Sequence, residues 1–340
     1  MVQRPKANIK QKLTNSKFSA FFFSCLKIFD FRVNRKTFRA AAPMYIRKVK
    51  IPFLSFVSWT LTGFGLGIAL MSLLLWLNGF PPSALSDFSS LLTPQHALIL
   101  GWANVGHQLG AFAFPAFLFF WFKKDHSSLT RSPSLITWLL GSCALLISAG
   151  VIEALSQLNL GLLSLFPTLA NWAQQGEASA WQMQSALLSQ PHLGGMVQVV
   201  IIMSVIPAFC EEYFFRGALF QWLLQWLSPM MVITISGFIF SLFHFQFEGF
   251  LPRWAMGMVL GYLTLRSGSL WPAIVGHFLN NLSGIFIFSH FNGKLTPPED
   301  HWMSSPLWWI LSAILLLGWY WGVRKWMAPA VRHQNEITPS

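Results

Sequence analysis

Charge is scarce in this chain. Asp, Glu, Lys and Arg make up 10% of its 340 residues, against roughly a quarter in an ordinary soluble domain. With 54% of residues apolar, the same scarcity excludes intrinsic disorder, which needs high charge and low hydrophobicity. Cysteine is scarce as well: Cys25, Cys143 and Cys210 stand far apart with no CxxC spacing, so neither a disulfide framework nor a four-cysteine zinc site can be built. The apolar stretches lack the period-2 alternation of membrane barrel strands, which leaves helices as the way to satisfy a backbone in lipid. No internal repeat is found, and no HExxH.

What is present is apolar bulk, with 33 Phe and 17 Trp. The net charge of +12 is confined to one place: residues 1–50 hold 13 Lys or Arg against the single acid Asp30, and the rest of the chain sums to zero. A basic arm on a neutral apolar body suits an anionic lipid surface rather than nucleic acid, for which no binding module accompanies the charge. Within that arm, Met44 precedes MYIRKVK, a short basic lead into the first apolar run, and reads as an alternative translation start.

Eight runs approach the ~20 residues a helix needs to cross a bilayer: 53–78, 98–122, 135–156, 195–215, 230–247, 250–266, 271–289 and 306–323. The expected fold is all-α, a polytopic membrane helical bundle. Lys and Arg concentrate in cytoplasmic loops. With the arm inside, the inside segments collect Lys123, Lys124, Arg131, Arg266, Arg324, Lys325 and Arg332, and the outside ones only Arg253 and Lys294. Both termini are therefore expected in the cytoplasm, and the connection 157–193, without Lys or Arg, outside. The chain divides into the arm (1–50), the first spans with the outer connection (51–193), a polar-bearing core (194–290), and a last span with a basic tail (291–340). Residues 217–227, with Gln221 and Gln225 on one face, read as an interfacial continuation of the fourth helix.

Polar side chains inside spans are costly and mark function by default. They cluster in the fourth, fifth and seventh runs: Glu211, Glu212, Arg216, His244, His277, Asn280 and Asn281. Lone His107 and Glu153 in earlier spans read as packing groups, and Cys210 as a small apolar one. Glu212 and Arg216 have the favourable i,i+4 ion-pair order. Glu211, about 100° round the helix, is left for a different face and is free to act as a base. Phe240 and His244 share one face, as do His277 and Asn281. Counted from the turn at Pro229, Glu211 and His244 are nearly level. His277, six residues after Trp271, needs a tilted or offset helix to join them. Pro207 frees the carbonyl of Met203 and should kink the fourth helix.

In order, Glu211-Glu212-x-x-x-Arg216, Phe240-x-x-x-His244 and His277-x-x-x-Asn281 resemble the EExxxR, FxxxH and HxxxN/D motifs of the CPBP family of intramembrane proteases, also called Abi or type II CAAX prenyl endopeptidases. The resemblance spans about residues 194–290. It implies a membrane endopeptidase acting on membrane-associated protein or peptide substrates, some of them prenylated in the family. Glu211 would activate water with His244 assisting, His277 and Asn281 would stabilise the oxyanion, and Glu212, Arg216 and Phe240 would support the site. Glu211, His244 and His277 would also supply a three-ligand zinc set with an open position; without HExxH, a metal-free mechanism is the expectation and no cofactor is favoured. The rival classes are a transporter or proton pathway, and a non-catalytic scaffold or immunity protein on the same fold.

Overall fold

A computed structural model describes residues 50–81, 92–124, 126–291 and 301–326. The basic arm, its Met44, and most of the C-terminal tail lie outside the described residues. Nine long helices account for most of the rest. They are α1 Phe53–Leu77, α2 Pro94–Lys123, α3 Leu135–Leu163, α4 Pro167–Leu188, α5 Leu193–Leu223, α6 Pro229–Leu242, α7 Phe250–Ser267, α8 Trp271–His290 and α9 Pro306–Trp326. No strand occurs among the described residues.

The start signals are local. Thr93, Ser134 and Ser228 accept hydrogen bonds from the backbone N–H groups of His96, Thr137 and Met231, and Pro94, Pro167, Pro229 and Pro306 sit at first helical positions, where a missing N–H costs nothing.

All eight expected segments are helical, and five of them, α1, α2, α3, α5 and α9, are long and apolar enough to cross a membrane. This is an all-α, multi-pass membrane protein. The sequence reading needs correcting in three places. The connection 157–193 is not a loop: α3 runs on to Leu163, and α4 follows as a separate helix that carries too many polar residues to count as a span. The fifth segment ends at Leu242 rather than 247, because the chain turns through Phe243 and His244 and reverses at Phe245, whose φ of +52° is left-handed. Its 14 residues rise only about 21 Å. The stretch after Arg216 continues α5 as far as Leu223 and packs on protein: Gln221 is buried, hydrogen-bonded to Lys123 and to Ser128, while Gln225 accepts from the backbone N–H of Ile51.

Proline acts on α2 and α5 through helix register. Directly before Pro115 and before Pro207 the backbone widens to π geometry, over Leu109–Ala113 and Ile201–Val205, with Phe114 N–H bonded to Leu109 O and Ile206 N–H to Ile201 O. The widened turn absorbs the missing proline donor and the ring clash without breaking the helix.

Glycines let the helices cross closely, as small residues do in membranes. Gly67 of α1 meets Gly110 of α2, Gly141 of α3 meets Pro272 and Gly276 of α8, and Gly237 of α6 meets Gly257 of α7. A Cβ on Gly257 would lie 2.7 Å from the Cα of Gly237, so only backbone movement could make room.

The residues expected on the cytoplasmic side come together at one end of the bundle. Arg266 donates to Arg324 O at 2.8 Å, Ser269 to Arg131 O at 3.0 Å, and Lys123 bonds Gln221, one residue before Trp222, whose indole N–H reaches Ile51 O at 3.1 Å. This is called the basic end below. Gly257→Ala should destabilise the protein by about 1–3 kcal/mol, read as a lower thermal midpoint in detergent. Gly161→Ala, at a position where a Cβ meets nothing within 4 Å, should leave the midpoint unchanged or raise it.

Candidate functional site

The motif residues of α5 are almost entirely withdrawn from solvent: Glu211 is 7% exposed, Glu212 and Arg216 0%. Buried charges persist only when paired and hydrogen-bonded, and Arg216 meets that requirement on three sides. Its Nη1 donates to Glu212 Oε1 at 2.5 Å, its Nη2 to Gly257 O at 3.2 Å, and its guanidinium lies 4.5 Å from the centre of the Phe240 ring. The close Gly237–Gly257 crossing is what brings α7's carbonyl within reach. Residues Tyr213–Leu219 form a third π segment, in which Phe220 N–H bonds Phe215 O, so Arg216 sits inside a widened turn immediately after the two glutamates.

Glu212 Oε1 also accepts from His277 Nδ1 at 2.8 Å. With Nδ1 holding that hydrogen, the other ring nitrogen, Nε2, is turned toward Glu211 and stands 4.0 Å from its Oε2. The offset that α8 needs is visible in its first turn. Leu270 Cδ1 lies 3.4 Å from where a Cβ of Gly217 would be, so Trp271 starts level with Gly217 rather than with the end of α5. Six residues on from Trp271 and six back from Gly217 bring His277 and Glu211 to one depth.

His244 stands just past the end of α6, held by its Nδ1, which donates to Phe240 O at 2.8 Å. A carbonyl can only accept, so the proton is on Nδ1 and Nε2 is the acceptor of the neutral ring. Phe240 serves three neighbours at once. Its ring faces the Arg216 guanidinium, and it makes edge contacts with His244 and His277 at 4.9 and 5.7 Å between centroids.

Glu211, His244, His277 and Asn281 all line one chamber of about 450 Å³. Glu211 Oε1 accepts from Gln108 Nε2 of α2 at 3.2 Å, while Glu211 Oε2 is buried with no protein hydrogen-bond partner. The two adjacent glutamates therefore differ in place: Glu212, whose Oε2 is likewise without a partner, holds Arg216 and His277 and stays out of the chamber lining, and Glu211 is part of that lining.

Sequence reasoning centred on ionisable groups missed the amides. Asn104 and Gln108, four apart on α2, line the chamber, as do Gln184 of α4 and Gln246 after α6, beside the expected Asn280 and Asn281. An i,i+4 pair of carboxamides in an otherwise apolar span was the available signal for the first two. Arg253 of α7 lines it too, bonded to the carbonyl of Gln246 and 3.7 Å from Glu177 of α4. Burial holds the Glu177 carboxyl above the usual carboxylate range, with Arg253 pulling the other way.

Three other polar residues stay out of the chamber. His107 packs between α1 and α2 against Phe64 and Gly67, Glu153 accepts from Gln157 at 3.0 Å, and Cys210 is buried within the aromatic core. Among the described residues no three His, Cys, Asp or Glu side chains are grouped so as to hold a metal ion.

Residues 193–283 match the family model described as type II CAAX prenyl endopeptidase Rce1-like. Searches of curated proteins and of solved structures returned no match. The matched segment runs from the start of α5 into α8 and contains all three motif pairs, so it includes every residue that joins Glu211, Glu212, Arg216, Phe240, His244 and His277, and the match supports a peptidase. With it the motif resemblance stands: the segment that builds the chamber of this multi-pass membrane protein is similar to the CAAX proteases, and the match supports the CPBP reading.

Proposed function

We propose that this protein is an intramembrane endopeptidase that hydrolyses peptide bonds of membrane-associated protein or peptide substrates with a water activated by Glu211. The observation that supports the reading is the contrast between the two glutamates: Glu212 holds Arg216 and His277 and stays out of the chamber lining, whereas Glu211 is part of that lining and gives one oxygen to Gln108. A carboxylate so placed can accept a proton from water, which is the first requirement of general-base hydrolysis.

The other parts have matching chemistry. His244 offers an unprotonated Nε2 as a second acceptor, which orients the water or relays its proton to the leaving amine. His277 and the carboxamide of Asn281, one helical turn apart on α8, both line the chamber and are the groups offered to the oxygen that gains charge when the carbonyl is attacked. Gln108 is a positioning residue: its Nε2–H fixes one oxygen of Glu211 and thereby aims the other. Amides around the chamber suit the peptide groups of an extended substrate, and CAAX-type processing is the form of this activity that the family match favours.

Glu211→Gln should fold and lose at least about 10²-fold in rate, measured as cleavage of a membrane-proximal peptide library by purified protein. A strong chelator should leave wild-type cleavage intact; loss on chelation with recovery on adding zinc would put a metal in the mechanism. Equal cleavage by wild type and E211Q would remove Glu211 from its role. Gln108→Met, which keeps the side chain's length, should lower kcat about tenfold or more with KM little changed. A raised KM with kcat intact would instead make Gln108 a substrate contact.

A further inference from the structure

Arg253 takes no part in the hydrolysis proposed above, yet it shares the chamber with it. Among the described residues of the lining, Glu211 is the one acid and Arg253 the one Lys or Arg. The two stand at nearly one depth. Arg216 of α5 donates to Gly257 O of α7 at 3.2 Å, and both helices run toward the basic end. Glu211 lies five residues back along α5 from Arg216, and Arg253 four back along α7 from Gly257, rises of about 7 and 6 Å.

The guanidinium is held in place. It donates through Nη1 to Gln246 Oε1 at 3.3 Å and through Nη2 to Gln246 O, and it lies on Gly249, where a Cβ would stand 2.7 Å from Nη1. The turn that supplies these partners is fixed in its own right by buried Asn159 of α3. Its Nδ2 donates to Phe247 O and Glu248 O at 2.7 and 2.8 Å, and its Oδ1 accepts from Leu251 N–H at 3.2 Å. A binding group supported in this way is set before any ligand arrives. Its counter-charge is set less well. A buried cation needs an opposite charge with good hydrogen bonds, but Glu177 of α4 comes only to 3.7 Å from Nη2, beyond hydrogen-bond length. Burial and the neighbouring Glu248 both disfavour the Glu177 charge, against the pull of Arg253, and neither acid belongs to the lining. Arg253 Nε is buried with no hydrogen-bond partner. A guanidinium carries five N–H donors in a planar fork that fits a carboxylate bidentately, and Gln246 takes two of them.

We propose that Arg253 is the carboxylate-binding residue of the chamber: at the depth of Glu211 it takes a carboxylate of the substrate, from an acidic side chain or a free C-terminus, and Glu177 keeps its place in the empty protein. In a chamber of about 450 Å³ that carboxylate lies within a few residues of the bond to be cut. The ligand exchanges a loose ion pair for a hydrogen-bonded one, which is the stronger kind. The proposal deepens the peptidase reading and rests on it for the bond that is cut; the binding of a carboxylate stands apart from it.

The test compares three fluorescent peptide libraries built on one set of randomised uncharged sequences: ending in an amide, ending in a free carboxylate, and ending in an amide with one Glu placed within the sequence. Binding is measured to the full-length E211Q protein in detergent, which reads affinity without turnover. At least one of the two acidic libraries should bind about tenfold or more tighter than the neutral one, and which of them does so identifies the source of the carboxylate. Adding Arg253→Gln should remove that preference and leave the neutral library's affinity unchanged. Glu177→Gln, which keeps the arginine and removes its place-holder, should raise affinity for the preferred acidic library about threefold or more. Equal binding of all three libraries, a preference that survives R253Q, or an affinity unchanged or lowered by E177Q would overturn the proposal. In cleavage by the otherwise wild-type protein, R253Q should raise KM for the acidic peptides with kcat little changed; an equal fall in kcat for acidic and neutral peptides would make Arg253 structural. If the acidic preference in binding holds while the wild type cleaves none of the libraries, the carboxylate site stands and the peptidase reading falls.

Discussion

A guanidinium with no exposed surface holds this molecule's functional half together. Arg216 draws one contact from each of three helices: the Glu212 carboxylate on its own helix, the Phe240 ring on α6 and the Gly257 carbonyl on α7. Through Glu212 it also fixes a fourth, because the same carboxylate oxygen holds His277 on α8. Removing one partner from such a buried network leaves another charge stranded, a loss of about 3–5 kcal/mol. The pairing therefore does more than add stability. It determines which of two neighbouring glutamates is neutralised and which is left to face the chamber, and it aims the ring nitrogen of His277.

The rest of the bundle is arranged so that this network sits at a boundary. On one side the aromatic layer of α2 and α5 is packed solid; on the other the walls are lined with amides and aliphatic side chains. Glycine crossings make the boundary narrow, since α6 and α7 can approach closely enough for a backbone carbonyl to serve as a side-chain ligand only because both lack a Cβ at the crossing. The π turns before Pro115 and Pro207 bear on the same geometry. Each inserts a residue into a helix that lines the chamber and so alters which face Gln108 and Glu211 present.

Much of this could be read from the residues alone, for reasons that differ by case. The Glu212–Arg216 pair follows from helical spacing, and the separate fate of Glu211 from the 100° step between neighbours. Helical segments were legible because apolar length is a strong signal in a chain with so little charge. The helical state of 167–188 was not, because composition was used only to ask whether it could cross lipid, and a surface helix of Ala, Gln and Trp fails that question while still folding. The end of α6 was missed because Phe243 to Phe245 continue the apolar pattern, and the turn is made by a left-handed Phe245 that no glycine announces. The link from His277 to Glu212, and the depth of α8, depended on where Leu270 packs against α5, a tertiary contact without a local signature. Gln108 escaped because a neutral amide in a span attracts less notice than a charge.

The shortness of α6 carries a consequence for the lipid around it. This helix starts at the basic end and stops at Leu242, with Met231, Phe238 and Leu242 exposed along its outer face and Phe245 exposed in the turn that follows. An apolar surface of about 21 Å meets a hydrocarbon layer of about 30 Å, and lipid adapts to a short segment by thinning. The bilayer is then drawn thinner on the flank where α6 gives way to the polar turn at Gln246, beside the depth at which His244 lines the chamber.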